Sequence, residues 1–359
     1  MRYARFSRFS NLLTFVFYLI RSLLDLLNPI TYFAFFYRYC PRKLYRSVYP
    51  VVSVGNLVMG GSGKTPFVIW LAKALLDQGF KLAVFNRNYG GKAWFPKKFS
   101  DYYGFEDLKC FGDEACLYRS LLPSFVDVVS GPVKWRNVKF YDGLFSSMGS
   151  PMSSLRPIFL LDDGFQHHNL KKDFEIVLVN VERRFHLSVI PFGEGREHVS
   201  ALRQADAVIL TRANKLDANK LQSFQKFIQL FTKPNSLILH ADFQENWPKL
   251  ESFIKIIVIT SFAHPQSFIK EVDNRYPGQI VATMMLRDHQ VPSPRTIKKI
   301  HRLLDQEQNS ILLCTYKDWV KLQFFFPVEK IKIVDLTIEV SNAHLLLQKI
   351  RDIVYCHRQ

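Results

Sequence analysis

Cysteine is scarce, with five residues (Cys40, Cys110, Cys116, Cys314 and Cys356) in a chain of 359. The number is odd, and the spacing of Cys110 and Cys116 matches neither a C-x-x-C zinc knuckle nor a redox pair. The sequence therefore offers no disulfide or zinc framework, and free thiols in a reducing cytoplasm are expected. Acidic residues are also few, 31 against 48 Lys+Arg, which leaves a formal charge of +17. Such a surplus points to anionic partners, whether nucleic acid, phosphorylated substrate or acidic headgroups. No basic-aromatic motif of the nucleic-acid kind accompanies it, so nucleic acid is not expected as a partner. No internal repeat or low-complexity tract appears, and 48% hydrophobic with 22% charged residues excludes a disordered or collagen-like chain. Aromatics are plentiful, at 14% with 32 Phe, and suggest a surface in contact with lipid.

The imbalance of charge concentrates at the amino terminus. Residues 1–50 carry Arg2, Arg5, Arg8, Arg21, Arg38, Arg42, Lys43 and Arg46 against one acid, Asp25. From Asn11 to Asn28 the polar positions Asn11, Thr14, Tyr18, Arg21, Ser22, Asp25 and Asn28 step by three and four onto one stripe of a helix. Pro29 stops or kinks it. Eleven Leu, Ile, Phe or Val residues between Leu12 and Leu27 favour insertion, by roughly 0.3–0.6 kcal/mol each. Arg21 and Asp25 oppose it by about 2.5–3.5 kcal/mol each near the centre. These contributions nearly cancel, so a helix lying in the interface, with arginines on anionic lipid, is expected in place of a span. The absence of a small-x-small cleavage site close behind argues against a signal peptide.

Beyond Pro50 short β-branched runs recur at Val51–Val54, Leu82–Phe85, Val126–Val129, Ile158–Leu161, Ile176–Val179 and Ala207–Leu210. Helical stretches such as Thr65–Gln78 separate several of them. A second series follows at Ile256–Ile259, Gln279–Ala282, Ile311–Leu313 and Ile331–Val334. Apolar strands alternating with helices predict parallel sheets covered on both faces, an α/β architecture. The polar stretch Ala241–Glu251 reads as the region of a domain junction. The expected organisation is an amino-terminal membrane-associated segment over 1–49, an α/β domain over 50–240 and a smaller α/β domain over 241–359.

The strongest chemical signal is Gly55-Asn56-Leu57-Val58-Met59-Gly60-Gly61-Ser62-Gly63-Lys64-Thr65, between a strand and a helix. In such a loop, backbone N–H groups of Gly60, Gly61, Ser62 and Gly63 turn toward phosphate oxygens and the helix dipole assists. Lys64 is placed to reach the β/γ-phosphates and the Thr65 hydroxyl to hold Mg²⁺. Pro66 is tolerated in the first helical turn. Val58 stands where the usual loop has its first glycine. A strand ending in Asp162-Asp163, within Leu161-Asp162-Asp163-Gly164-Phe165-Gln166-His167, supplies carboxylates of the kind that anchor a metal shell. Asn214-Lys215-Leu216-Asp217 resembles a guanine-reading NKxD, which keeps a membrane-associated phosphate-loop GTPase switch or assembly factor as the alternative. That reading lacks its DxxG, because Leu161 occupies the position of the first Asp, and the NKLD run reads as a solvated loop.

GNLVMGGSGKTP, the run Asn86–Gly91, FGDEA at Phe111–Ala115, LDDGFQH at Leu161–His167 and PFGEGRE at Pro191–Glu197 stand in a definite order. RQAD at Arg203–Asp206, FAHPQSF at Phe262–Phe268, RDH at Arg287–His289 and TYKD at Thr315–Asp318 continue it. The chain in this respect resembles the tetraacyldisaccharide 4'-kinases, the lipid A kinases of bacterial outer-membrane synthesis, over nearly its whole length. The family's own loop lacks the first glycine, so Val58 agrees with it. The resemblance implies two Rossmann-like, phosphate-loop α/β/α lobes with a cleft between them, plus an amino-terminal amphipathic helix on the membrane surface. It implies transfer of the γ-phosphate of ATP, with Mg²⁺, to the 4'-hydroxyl of a tetraacyldisaccharide 1-phosphate. The expected location is the cytoplasmic face of the bacterial inner membrane. Oligomeric state is left open.

By the same resemblance Asp113 is the base that takes the hydroxyl proton, His289 its partner and Lys64 a catalytic cation. Glu114, Asp162, Asp163 and Glu197, with Thr65, are the candidates for Mg²⁺ or its waters. Gln166 and His167 follow the acids closely enough to reach the same phosphates, and Arg87 and Arg196 offer guanidinium forks to phosphate oxygens. The chain also departs from the family. Asn88 stands where a glycine is usual, His264 replaces Asn, Tyr316 replaces an acid, and Arg183–Ile190 replaces a glycine-rich stretch. Asn88 is accordingly expected to tolerate the backbone of the glycine it replaces.

Overall fold

The computed structural model describes residues 44–58, 62–99, 103–147, 157–182, 194–262 and 265–357. The membrane-surface helix expected within residues 1–49 lies almost wholly outside these, as do Gly60, Gly61, His264 and residues 183–193. Among the described residues no helix is long and apolar enough to cross a membrane.

The chain alternates strands and helices as its periodicity predicts. It begins with β1 (Val51–Asn56), α1 (Lys64–Asp77), β2 (Leu82–Arg87), β3 (Lys97–Phe99), α2 (Phe105–Leu121) and β4 (Asp127–Gly131). Then come α3 (Lys134–Ser147), β5 (Ile158–Asp162), β6 (Phe174–Asn180), β7 (Ala207–Thr211), α4 (Ala218–Gln229) and β8 (Leu237–Asn246). The remainder is β9 (Lys255–Thr260), α5 (Pro265–Arg275), β10 (Ile280–Met285), α6 (Pro294–Gln306), β11 (Ser310–Thr315), α7 (Tyr316–Leu322), β12 (Ile331–Val340) and α8 (Ala343–Cys356). All ten β-branched runs fall on strands. Two strands have no such signal: β3 is only three residues long, and β8 carries Ala241–Asn246, half of the polar stretch that reads as a junction.

Two compact units can be distinguished. One comprises Met1–Lys64, Asp163–Asp242 and Glu339–Gln359, in which β1, β6, β7 and β8 pair in parallel. Of these, β1, β6 and β7 are buried along their whole length, which is why they are apolar runs and not alternating ones. Leu57, Phe165, Val177, Val179, Leu202 and Ile228 form its core. Phe224 and Phe227 of α4 pack onto that core, completing one apolar helix face.

The other unit comprises Thr65–Asp162 and Phe243–Ile338. Here β2 pairs in parallel with β4 and β5, and β3 adds antiparallel to β4. The second series forms its own parallel set, β9 with β10 and β11, and β11 with β12. Leu108, Cys116 and Leu117 of α2 meet Val320 of α7 in one apolar cluster. That contact brings the GDE run and the TYKD run onto neighbouring helices. Cys110, Cys116, Cys314 and Cys356 are free thiols, as expected.

Candidate active site

The phosphate loop starts where β1 ends. Asn56 is fully buried and its side-chain amide donates to Ser62 Oγ at 2.7 Å, tying the strand to the far side of the loop. Gln166 Nε2 donates to the Asn56 carbonyl at 2.8 Å, and Gly164 N to the Val54 carbonyl at 3.0 Å. Arg196 N donates to the Leu57 carbonyl at 2.7 Å, and Val58 forms a bridge with Gly195. Three motifs distant in sequence thus brace one loop. Gln166, expected on a phosphate, buttresses the loop backbone.

Asp163 is the charge centre of this unit. Arg196 Nη1 lies 2.8 Å from its Oδ1 and 2.9 Å from its Oδ2, and Lys64 Nζ lies 3.3 Å from Oδ1. Its backbone is left-handed at φ 52°. That conformation costs a residue with a Cβ roughly 1–3 kcal/mol and persists only where surroundings fix it. Arg196 and Lys64, both expected to meet phosphate, share this carboxylate. Glu197 follows Arg196, and its backbone N–H also points to the Leu57 carbonyl, at 3.4 Å. His167 closes a turn onto Gly164 through its backbone N–H at 3.0 Å.

In the other unit α2 is broken inside the FGDEA run. Gly112 has φ 82° and ψ 171°, and a Cβ there would stand 2.4 Å from the Tyr89 carbonyl oxygen. Only glycine fits, and the break lets Asp113 and Glu114 open a fresh helical turn. Gly90, at φ 70°, backs directly onto the His289 carbonyl, where a Cβ would lie at 2.1 Å. His289 is itself left-handed at φ 52°. The NRNYGG run therefore packs against His289 and against Gly112, the residue before Asp113. Asn88, standing for a glycine, is not left-handed and is held by its amide on the Ala93 carbonyl at 2.8 Å. Arg87 is exposed at the end of β2, its guanidinium 5.1 Å from the Tyr89 ring centre.

His289 Nδ1 donates to Asp113 Oδ1 at 2.9 Å. The other oxygen, Oδ2, is buried without a hydrogen-bond partner and lies 3.6 Å from Lys321 Nζ. Asp113 is only 2% exposed. Burial works against its charge, but the hydrogen bond from His289 and the charges of Lys321, His289 and Lys317 hold its pKa below the usual value. The His289 pKa is raised, first by that hydrogen bond and then by the Asp113 charge, against the opposing effect of burial. Asp288 receives Lys317 Nζ at 2.6 Å and faces His289 Nε2 at 3.4 Å. Asp113, Asp288 and His289 could bring ligand atoms within 4.8 Å of one another, yet each carboxylate already faces a lysine, which makes this an ion-pair network.

These opposite shifts have a measurable sign. The His289 contribution to stability is present below its unfolded pKa of about 6.5 and is lost as pH rises through the raised folded value. Ring resonances of His289 should titrate above pH 6.5. In Asp113→Asn the midpoint should fall, because burial remains while the anion is gone. An unchanged NMR midpoint would show that Asp113 does not govern the imidazole.

Glu114, partly exposed, has its pKa pushed up to about 8 by burial, then by Asp162 and Asp113. Tyr118, fully buried, faces Asp162, Glu114 and Thr65, and its phenol is raised by burial and then by the two acids. Thr65, Glu114 and Asp162 thus converge around Tyr118, a set of hard oxygen donors with excess negative charge. Such a set suits Mg²⁺. Asp163, a fourth candidate, is committed to Arg196 and Lys64.

Sequence reasoning missed Lys321, Lys317 and Tyr118 as neighbours of this chemistry. Lys321 and Tyr118 are fully buried polar side chains on helices, which nothing in a linear pattern distinguishes from core or surface positions. The NKLD run has a structural role: Asp217 caps α4 by accepting from Lys220 N at 2.9 Å and pairs with Lys220 Nζ at 2.8 Å.

A strand–loop–helix with a lysine-threonine start, strand-end acids and a buried carboxylate–histidine pair define a phosphate-loop α/β protein equipped for phosphoryl transfer. A family model, "LpxK: Tetraacyldisaccharide-1-P 4'-kinase", matches residues 25–355. The chain belongs to this family. It is similar to the Tetraacyldisaccharide 4'-kinase of Psychromonas ingrahamii, 31% identical over 285 residues covering 79% of each chain. That of Chlamydia trachomatis is 31% identical over 293 residues, covering 79% of this chain and 76% of the relative. The fold is that of LpxK from Aquifex aeolicus, solved in complex with ATP, with a TM-score of 0.65, 24% identity and coverage of 96% of this chain and 99% of the other.

Proposed function

We propose that the protein transfers the γ-phosphate of ATP to the 4'-hydroxyl of a tetraacyldisaccharide 1-phosphate, working at the cytoplasmic face of the bacterial inner membrane. The observation that carries this reading is Asp113, buried and ionised, with one oxygen on His289 and the other without a hydrogen-bond partner. A sugar hydroxyl is a weak nucleophile at neutral pH and needs an acceptor for its proton. The hydroxyl oxygen forms its bond to the γ-phosphorus as the bond to the β,γ-bridging oxygen breaks. ADP leaves with the electron pair, and the proton passes to Asp113 Oδ2. His289 keeps Oδ1 occupied and fixes the plane of the carboxylate.

Lys64, with the backbone of Gly60, Gly61, Ser62 and Gly63, serves the triphosphate in this reading, and Arg196, Arg87, Gln166 and His167 are the further candidates for phosphate oxygens. Thr65, Glu114 and Asp162 would hold Mg²⁺, with Asp163 and Glu197 as the further candidates. Bound magnesium neutralises charge on the phosphate oxygens during transfer. The division at 49/50 and 240/241 is part of the proposal, residues 1–49 serving the membrane. Removing residues 1–28 is expected to weaken vesicle binding more than ATP binding. Equal loss of both, by vesicle flotation and nucleotide titration, would make that segment part of the nucleotide fold.

The test against a GTPase is nucleotide preference. ADP formation should require the lipid acceptor and strongly favour ATP over GTP. Rapid GTP hydrolysis without acceptor would contradict the kinase reading. The capping role of Asp217 already removes the side chain that a guanine site needs.

A further inference from the structure

His289 occupies one oxygen of Asp113, and a lysine stands on the side of the other. Lys321, on α7, is fully buried there. Its Nζ donates to Ser261 Oγ at 3.0 Å and pairs with Asp318 Oδ1 at 3.2 Å. Asp318, also fully buried, accepts from Ser261 Oγ at 2.6 Å, from Ser261 N at 3.3 Å and from Thr315 Oγ1 at 3.2 Å. The Lys321–Asp318 pair is thus balanced in charge and well supplied with hydrogen bonds on its own. As a purely structural device it would be complete without a second carboxylate. Yet Lys321 Nζ stands 3.6 Å from Asp113 Oδ2, close enough for strong attraction in a buried setting but too far for a hydrogen bond.

We propose that Lys321, anchored by Asp318 and Ser261, is a positioning residue for Asp113: it holds Oδ2 in place by charge while leaving that oxygen's lone pair open to the acceptor hydroxyl. A direct hydrogen bond from the ammonium would take one of that oxygen's two lone pairs and lower its affinity for the proton. A neutral side chain would let the carboxylate turn about its own axis on the single His289 contact. Asp113, His289 and Lys321 all line one cavity of about 400 Å³, with Gly90 and Val291 on its wall. Ser261 and Asp318 fix the lysine because a four-carbon side chain otherwise samples many rotamers. Displacing a base by a fraction of its working distance is costly in the transition state and nearly neutral for ground-state binding.

This inference rests on Asp113 being the base, and the experiment separates the two. Full-length Lys321→Met, and Lys321→Met/Asp318→Asn, which removes both buried charges together, are assayed with ATP and lipid acceptor. Each is expected to lower kcat about 10–100-fold, with KM for ATP and for lipid unchanged. In an Asp113→Asn background the same changes should lower kcat no further, because there is no base left to position. Melting temperature is followed alongside. If neither variant folds, Ser261→Ala, which frees one anchor of the ammonium, is expected to lower kcat in the same non-additive way. A folded Lys321→Met/Asp318→Asn protein with parental kcat, or a loss that adds fully to that of Asp113→Asn, would overturn the positioning role. Full activity in Asp113→Asn alone would instead overturn the base assignment on which it stands.

Discussion

Asp113→Asn is expected to lower kcat for lipid phosphorylation about 10²–10⁴-fold, the range that a positioned general base contributes. The substitution keeps the shape of the side chain and can still accept from His289 through its amide oxygen. It removes the oxygen without a hydrogen-bond partner and puts a donor in its place, so no group remains to take the hydroxyl proton. KM for ATP should change little, since the phosphate loop is braced through Asn56, Ser62, Gln166 and Arg196. Asp113→Ala should be equally inactive and less stable. It leaves a void and removes the hydrogen bond to His289, a loss of about 1.5–3 kcal/mol for a charged partner, while Lys321 keeps its pairing with Asp318. Steady-state kinetics with thermal melts of both variants checks the claim. Unimpaired turnover in either would take Asp113 out of the base role.

Lys64→Ala should reduce phosphoryl transfer about 10²–10³-fold, comparable to losing one group that stabilises developing charge in a water-poor site. The fold should survive, for a reason visible in the ion pairs. Lys64 is the longer of the two cation contacts to Asp163, at 3.3 Å, whereas Arg196 reaches both carboxylate oxygens at 2.8 and 2.9 Å. Asp163 therefore stays paired when Lys64 is removed. Melting temperature should move little while kcat falls steeply. A matching collapse of both would mean that Lys64 is chiefly structural.

Much of the architecture is legible because buried parallel strands need apolar runs and their helices need one apolar face. Val51–Val54 and Ile256–Ile259 have no other physical use. β8 escaped because only Leu237–Leu239 carry the signal, while its latter half, Gln244–Asn246, is exposed and polar. The site was legible to the extent that its chemistry is local. The glycine-rich loop and the strand-end acids are short motifs whose spacing states their purpose. The contact of Asp113 with His289 spans 176 residues of sequence and follows from the packing of α2 on α7, which no periodicity encodes. Lys321 was hidden more deeply: a lysine three residues after an aspartate on a short helix reads as a surface pair, and only burial makes it a determinant of Asp113. Arg196 and Gln166 show the opposite difficulty. Their residue types suit phosphate, but their atoms are engaged with Asp163 and the Asn56 carbonyl.

The most direct measurement is transfer of label from [γ-³²P]ATP to purified tetraacyldisaccharide 1-phosphate by the full-length protein with Mg²⁺, followed by locating the new phosphate on the sugar. Label should appear in the lipid as an ester of the 4'-hydroxyl, in step with ADP, and be lost in Asp113→Asn. Label released only as inorganic phosphate, or found on another hydroxyl, would contradict the account.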